Sequence, residues 1–215
     1  MRRLVSLFLF SLFLFSQPTN SQTDNGCKLK FGGKPVARKA VKMRPPTRNY
    51  PLYKDGQAIS VKEFLNPLCL EASKMVPSPV PKSAAMVVEK QTVTIRAFVL
   101  AMKLDPDNDL HIQIGDKAKP YKQAQIIVEI PPTNKYCDAR TKMMDLFRED
   151  GGTKLSQWIF KVPPEVEFTG YLFLDSHHGS TCTGSGGRGI KNGLQTSPVK
   201  TTWEIHPVIM VSPIS

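Results

Sequence analysis

Past residue 86 the hydrophobic and polar positions fall into short runs with the two-residue period of strands. Residues 92–104 are rich in β-branched and apolar side chains and long enough to form one strongly bent strand. Asp105-Pro106-Asp107-Asn108 reads as a turn. Residues 109–114 alternate strictly, with Leu110, Ile112 and Ile114 on one face and Asp109, His111 and Gln113 on the other. A loop over 115–122 leads to a third strand, 124–130, closed by Pro131-Pro132. Residues 138–149 predict a helix with Asp138 near its start and Met143, Met144, Leu146 and Phe147 as its apolar positions; Gly151-Gly152 ends it. Residues 158–162 fit a short strand or a loop, 166–174 a fourth strand, 175–200 a long loop rich in Gly and Ser, and 202–211 a fifth strand.

The order β-β-β-α-β-β predicts a mainly β protein: a five-stranded, OB-like Greek-key barrel with one helix between strands three and four. A long first strand that bends into both halves of the barrel fits that plan. The rival is an open β-sandwich with an incidental helix.

The chain before the barrel reads differently. Met1-Arg2-Arg3 followed by an apolar run of 12 residues, 4–15, has the anatomy of a signal peptide. Small residues at Thr19 and Ser21 point to cleavage before Gln22, and thus to a secreted or periplasmic mature chain. An uncleaved anchor, or a lipid anchor at Cys27, are the alternatives. Residues 22–54 hold nine basic residues against Asp24 alone, a charge of +8, whereas 55–215 hold 18 basic and 17 acidic residues, a charge of +1. The basic character belongs to a poorly structured N-terminal arm over 22–59, in which Lys39, Lys42 and Arg44 are candidate contacts for a polyanion, either nucleic acid or acidic glycan. Ser60-Val61-Lys62-Glu63 reads as a capping box opening a short helix that Pro67 limits. Pro77, Pro79 and Pro81 make a stiff linker, so that 60–85 leads into a barrel domain over 86–215.

Four cysteines, Cys27, Cys69, Cys137 and Cys182, follow the apolar run. Export makes two disulfides the expectation, with three possible pairings. Cys137 with Cys182, leaving Cys27 with Cys69, is the favoured one. Their spacings match no zinc-binding pair, and pairing disfavours thiol catalysis.

The polar strand positions carry an unusual set of side chains. Asp109 and His111 share one face of the second strand, Glu129 lies on the third, and Glu204 and His206 share one face of the fifth. Asp175 opens the long loop, which also carries His178, and Arg140 lies on the helix. As outward barrel positions these are ordinary polar surface, able to form cross-strand pairs. As a converging set, Asp109, His111, Glu129 and His206 would be O and N ligands for a divalent metal ion. His111, Glu129, Arg140, Glu204 and His206 are the catalytic candidates for hydrolysis. The deciding quantity is whether the polar atoms of His111, Glu129, Glu204 and His206 come within roughly 3–6 Å of one another. In the loop, Gly184-Ser185-Gly186-Gly187-Arg188-Gly189 lacks the following helix and the Lys-Ser/Thr of a phosphate-cradling turn. There His178, Asp175 and Arg188 are read as contacts of a groove-flanking loop. Asp175-Ser176-His177-His178 has no nucleophile elbow, which argues against a serine hydrolase.

Several pieces occur together in order: Asp107-Asn108-Asp109-Leu110-His111, Val128-Glu129-Ile130-Pro131, Cys137 with Arg140, Thr169-Gly170-Tyr171-Leu172-Phe173-Leu174-Asp175 with His178, and Trp203-Glu204-Ile205-His206-Pro207-Val208. Over 92–211 the chain resembles a widespread group of exported bacterial proteins of unassigned function. The long Gly/Ser loop and the basic arm depart from that group. The plan is also distantly similar to secreted OB-fold nucleases, whose spaced Asp, Arg and Glu are not reproduced. Two functions follow as expectations. One is an exported binding or envelope-associated protein for an anionic polymer or glycan. The other is a metal-dependent hydrolase, phosphodiesterase-like, using the Asp/His/Glu set.

Overall fold

The computed structural model describes residue 42 and residues 57–66, 89–119, 123–175 and 199–215. Helix α1 spans Val61–Asn66; strands β1 Thr92–Leu104, β2 Leu110–Gly115 and β3 Gln125–Ile130 follow; helix α2 spans Cys137–Glu149; and β4 Gln157–Ile159, β5 Glu165–Leu174 and β6 Trp203–Pro213 complete the chain order.

Five strands close into a barrel. β1 pairs antiparallel with β5 through Thr92–Phe98 and with β2 through Phe98–Leu104, so one bent strand serves two neighbours, with a register shift between Val99 and Ala101. The extra residue of such a shift bends the strand and lets the sheet close. β2 continues to β3, β3 runs parallel to β6, and β6 returns to β5. That ring, with α2 between β3 and β5, is the OB-like plan. The short β4 pairs with β1 from Ala101 to Lys103 and extends the sheet beyond the barrel. The sandwich alternative is thereby excluded.

The inward faces form one apolar cluster that includes Leu110, Ile112, Ile114, Val128, Ile130, Leu172 and Ile205. Met143 and Phe147 of α2 join it, while Met144 and Leu146 pack at its margin. Gly151, at φ 89, ends α2 where a side chain would be strained. Gly170 is required by close approach, since a Cβ there would meet Ile205 Cγ2 at 2.5 Å and the Pro207 carbonyl oxygen at 2.6 Å. The capping box forms: Glu63 N–H donates to Ser60 Oγ at 3.1 Å and Ser60 N–H to Glu63 Oε2 at 2.8 Å. Ile59, Val61 and Phe64 are buried in the barrel's own cluster, and Ile59 bridges Ile95, so this segment is part of the packed domain. Among the described residues no helix is long and apolar enough to cross a membrane.

One expectation about the strands is overturned. Asp109, His111, Gln113, Gln125, Glu129, Glu204 and His206 do occupy the face opposite the apolar cluster, but that face is not barrel surface. All seven are buried, His206 and Asp109 completely. Boundary differences are small: β2 begins at Leu110 rather than 109, β6 runs on to Pro213, and the segment expected at 158–162 pairs as Gln157–Ile159.

Candidate metal centre

Strand register explains why these side chains meet. His111 lies directly opposite Glu129 in the β2–β3 ladder. The parallel β3–β6 pairing, in which Val128 meets Ile205, brings His206 beside Glu129. Asp105, Asp107 and Asp109 come from the β1–β2 turn. There Asn108 adopts a left-handed φ of 70 and its N–H donates to the Asp105 carbonyl at 2.8 Å.

Glu129 is the hub. Its Oε1 is 2.7 Å from His111 Nδ1, and its Oε2 is 2.7 Å from His206 Nδ1. His111 Nδ1 also lies 3.1 Å from Asp105 Oδ2, and His206 Nε2 lies 3.3 Å from Asp109 Oδ2. Both Asp109 oxygens are buried and accept no hydrogen bond, although His206 and Lys42 are near. Two sets bring three ligand atoms within 4.8 Å of one another: Asp105–His111–Glu129 and Asp109–Glu129–His206. In the first, one nitrogen of His111 serves two carboxylates. In the second, the two carboxylates lie at different nitrogens of His206, and the Asp109 oxygens have no hydrogen-bond partner. The 3.3 Å between His206 Nε2 and Asp109 Oδ2 falls at the roughly 3.3–3.6 Å expected between donors about 2.0–2.2 Å from a tetrahedral ion, while the 2.7 Å between His206 Nδ1 and Glu129 Oε2 is a hydrogen-bond distance.

Lys42 completes the cluster. Its Nζ lies 3.4 Å from Asp107 Oδ2, 3.6 Å from Asp109 Oδ2 and 3.7 Å from Glu129 Oε2, and 5.7 Å from the centre of the Phe173 ring. Lys42, Asp105 and Asp107 form the part-exposed edge of an otherwise buried group, with side-chain exposures of 15%, 20% and 19%.

Burial and crowding set the charges. Burial, helped by Glu129 and Asp107, pushes the Asp109 carboxyl up to about 8. Burial and the charges of Glu129 and Asp175 push Glu204 well above the usual carboxylate range. Burial works against Glu129 too, but His206 and His111 outweigh it and hold Glu129 well below its ordinary value. Burial also opposes the His111 imidazolium, yet Asp105 and Glu129 prevail and raise it to about 9. His206 is lowered, chiefly by burial. Burial opposes the Lys42 ammonium, while Glu129, Asp109, Asp107 and Glu204 raise it beyond its usual value. The region thus holds more carboxylates than its cations neutralise, and burial favours the protonated forms of Asp109 and Glu204.

The expected site residues separate clearly. Asp109, His111, Glu129 and His206 come together. Glu204 is buried and feels Glu129, but it is not among the groups at ligand distance. Arg140 is a clamp: buried, it donates from Nη1 to the Asn108 carbonyl at 3.1 Å and the Ile130 carbonyl at 2.8 Å, tying the acidic turn to the end of β3. That places it as a positioning residue. Asp175, at the end of β5, is half-buried. His178, Arg188, Lys39, Arg44, Cys27, Cys69 and Cys182 lie outside the described residues, so the disulfide pairing does too. No cysteine among the described residues is free. Lys42 is engaged with carboxylates rather than presented to an external polyanion. Asp105 and Asp107 are not among the site residues the sequence suggests; the two-residue spacing of Asp105, Asp107 and Asp109 is the signal that could have found them.

No protein-family model matches the chain, and no curated protein matches it. Among solved structures, an aspartyl tRNA synthetase from Entamoeba histolytica is similar at 17% identity and a TM-score of 0.35, over 87% of this chain and 27% of that one. The chain thus spans about a quarter of that protein's length, and a score of this size establishes neither a shared fold nor a shared activity.

Proposed function

We propose that this is an exported OB-like barrel protein whose function depends on a divalent cation held by Asp109, Glu129 and His206, with Asp107 at the open side. The observation that carries this reading is Asp109, a fully buried carboxyl group whose oxygens have no hydrogen-bond partner, facing a histidine and a second carboxylate from strands β6 and β3. An unpaired polar group in a dry interior is costly unless something compensates it. Mixed carboxylate and imidazole donors suit Mn²⁺ or Zn²⁺. His111 and Asp105 would orient Glu129 from behind, as outer partners of metal ligands do. Export rests on the N-terminal apolar run, and the Cys137–Cys182 pairing belongs to the same reading.

Metal-assisted hydrolysis of an anionic substrate such as a phosphodiester is the second reading. It is favoured by a three-donor set beside a part-exposed edge, since catalytic ions keep a coordination position open. Binding of an anionic polymer through the arm would then be a substrate contact rather than a separate activity.

The test is elemental analysis of the purified protein with calorimetric titration of Mn²⁺ and Zn²⁺. One ion per chain is expected. His206→Ala and Asp109→Asn, each checked for folding by circular dichroism, should lower affinity by about 10–100-fold or more. Absence of binding at millimolar ion, in both the wild type and Lys42→Met, would sink the reading.

A further inference from the structure

Every acidic or imidazole member of the cluster sits on a strand or on the β1–β2 turn, whereas Lys42 comes from the basic arm, 65 residues before Asp107. Its ammonium is nearly equidistant from three carboxylates, at 3.4, 3.6 and 3.7 Å. These are distances at which a charge is shared among acceptors rather than committed to one short hydrogen bond. Two of the three oxygens, Asp109 Oδ2 and Glu129 Oε2, belong to the set proposed to hold the ion. The Phe173 ring lies 5.7 Å from the ammonium on another side, and only 15% of the lysine side chain is exposed. The position is therefore a cage for one cation.

We propose that Lys42 is a built-in cation occupying the place of the divalent ion, so that its ammonium and the ion exclude each other. The inference rests on the cation reading above. An ammonium and a divalent ion cannot share a partly desolvated cage of this size, because like charges a few ångströms apart in a low-dielectric setting repel strongly. Asp109 and Glu129 then have two alternative partners. The lysine is supplied by the chain and the ion by the medium. By linkage, whatever draws Lys42 out of the cage raises affinity for the ion, and the ion in turn weakens the hold of the cage on Lys42. Lys42 belongs to the segment with the large basic excess, 22–54, so a polyanion is the class of ligand suited to draw it out.

The experiment is a Mn²⁺ titration of three full chains: wild type, Lys42→Met and Lys103→Met. Lys103 pairs with Asp105 at the edge of the same cluster, so it removes an equal charge without touching the cage. Lys42→Met should bind Mn²⁺ at least about tenfold tighter than wild type, and Lys103→Met within about threefold of it. Equal or weaker binding by Lys42→Met would overturn the inference while leaving the cation reading intact, as would an equal gain in Lys103→Met. Absence of binding in all three removes the cation reading, and this inference with it. A second measurement needs no variant: saturating Mn²⁺ should speed trypsin cleavage after Lys42 in the wild type, and an unchanged rate counts against displacement.

Discussion

On the β2–β3–β6 side of the barrel one face carries Leu110, Ile112, Ile114, Val128, Ile130 and Ile205, and the other carries Asp109, His111, Gln113, Glu129, Glu204 and His206; both are buried. The first face is explained by the hydrophobic effect alone. Each apolar side chain leaves water, and shape complementarity with Met143 and Phe147 completes the packing. The second face runs against it. Its groups lose hydration, and the return is incomplete, since the Asp109 oxygens and His111 Nε2 have no hydrogen-bond partner. A fold that needed only stability would fill these positions with apolar residues. A dry polar layer that is only partly satisfied is what the proposed cation would complete.

The largest expected effect sharpens this contrast by cutting one member of each layer. Ile112→Ala should destabilise by about 2–5 kcal/mol in urea unfolding, through lost burial and a cavity. Glu129→Ala removes little apolar area, yet it should cost about 3–5 kcal/mol, because it breaks the buried contacts of Glu129 with both His111 and His206. If the second face were merely polar surface, Glu129→Ala would fall within about 0.5 kcal/mol of wild type.

A smaller effect separates the layers by pH. Asp109 titrates in the fold at about 8 against an ordinary 3.8, and His111 at about 9 against 6.5. For a raised group the stabilisation is whole below the ordinary value and disappears as pH rises through the folded one. The cation-free protein should therefore lose thermal stability from about pH 4 to 8 through Asp109 and from about pH 6.5 to 9 through His111. Glu129 and Asp105, both lowered, act in the opposite sense, and their contribution is lost only as pH falls through the acid range. Asp109→Asn should flatten the loss between about pH 4 and 8 while leaving the His111 part up to about pH 9 in place. An Asp109→Asn melting profile that tracks wild type between about pH 4 and 8 would count against the assigned burial.

Much of this was legible in the sequence, for identifiable reasons. The strict alternation of 109–114 fixed which residues share a face. The long apolar run of 92–104 implied the bent strand that pairs both β2 and β5. Parity alone grouped Asp109 with His111, and Glu204 with His206. What periodicity cannot supply is what lies over a face. A two-residue period is the same whether the polar side meets water or protein, so the burial of Glu129 and His206 was hidden. Nor does any local signal connect Lys42 to Asp107 and Asp109, because that contact is made by tertiary folding across a long stretch of chain. The sequence places Arg140 on the helix as a catalytic candidate, and only its bonds to the Asn108 and Ile130 carbonyls show that it braces the acidic turn.

The most direct test of the central claim is anomalous X-ray diffraction at the manganese edge from crystals of the full chain grown with Mn²⁺. The account predicts one strong peak, about 2.0–2.3 Å from oxygens of Asp109 and Glu129, with His206 as a further ligand and the Lys42 ammonium moved out of the cage. A map with no peak there, and Lys42 still held among Asp107, Asp109 and Glu129, would contradict it.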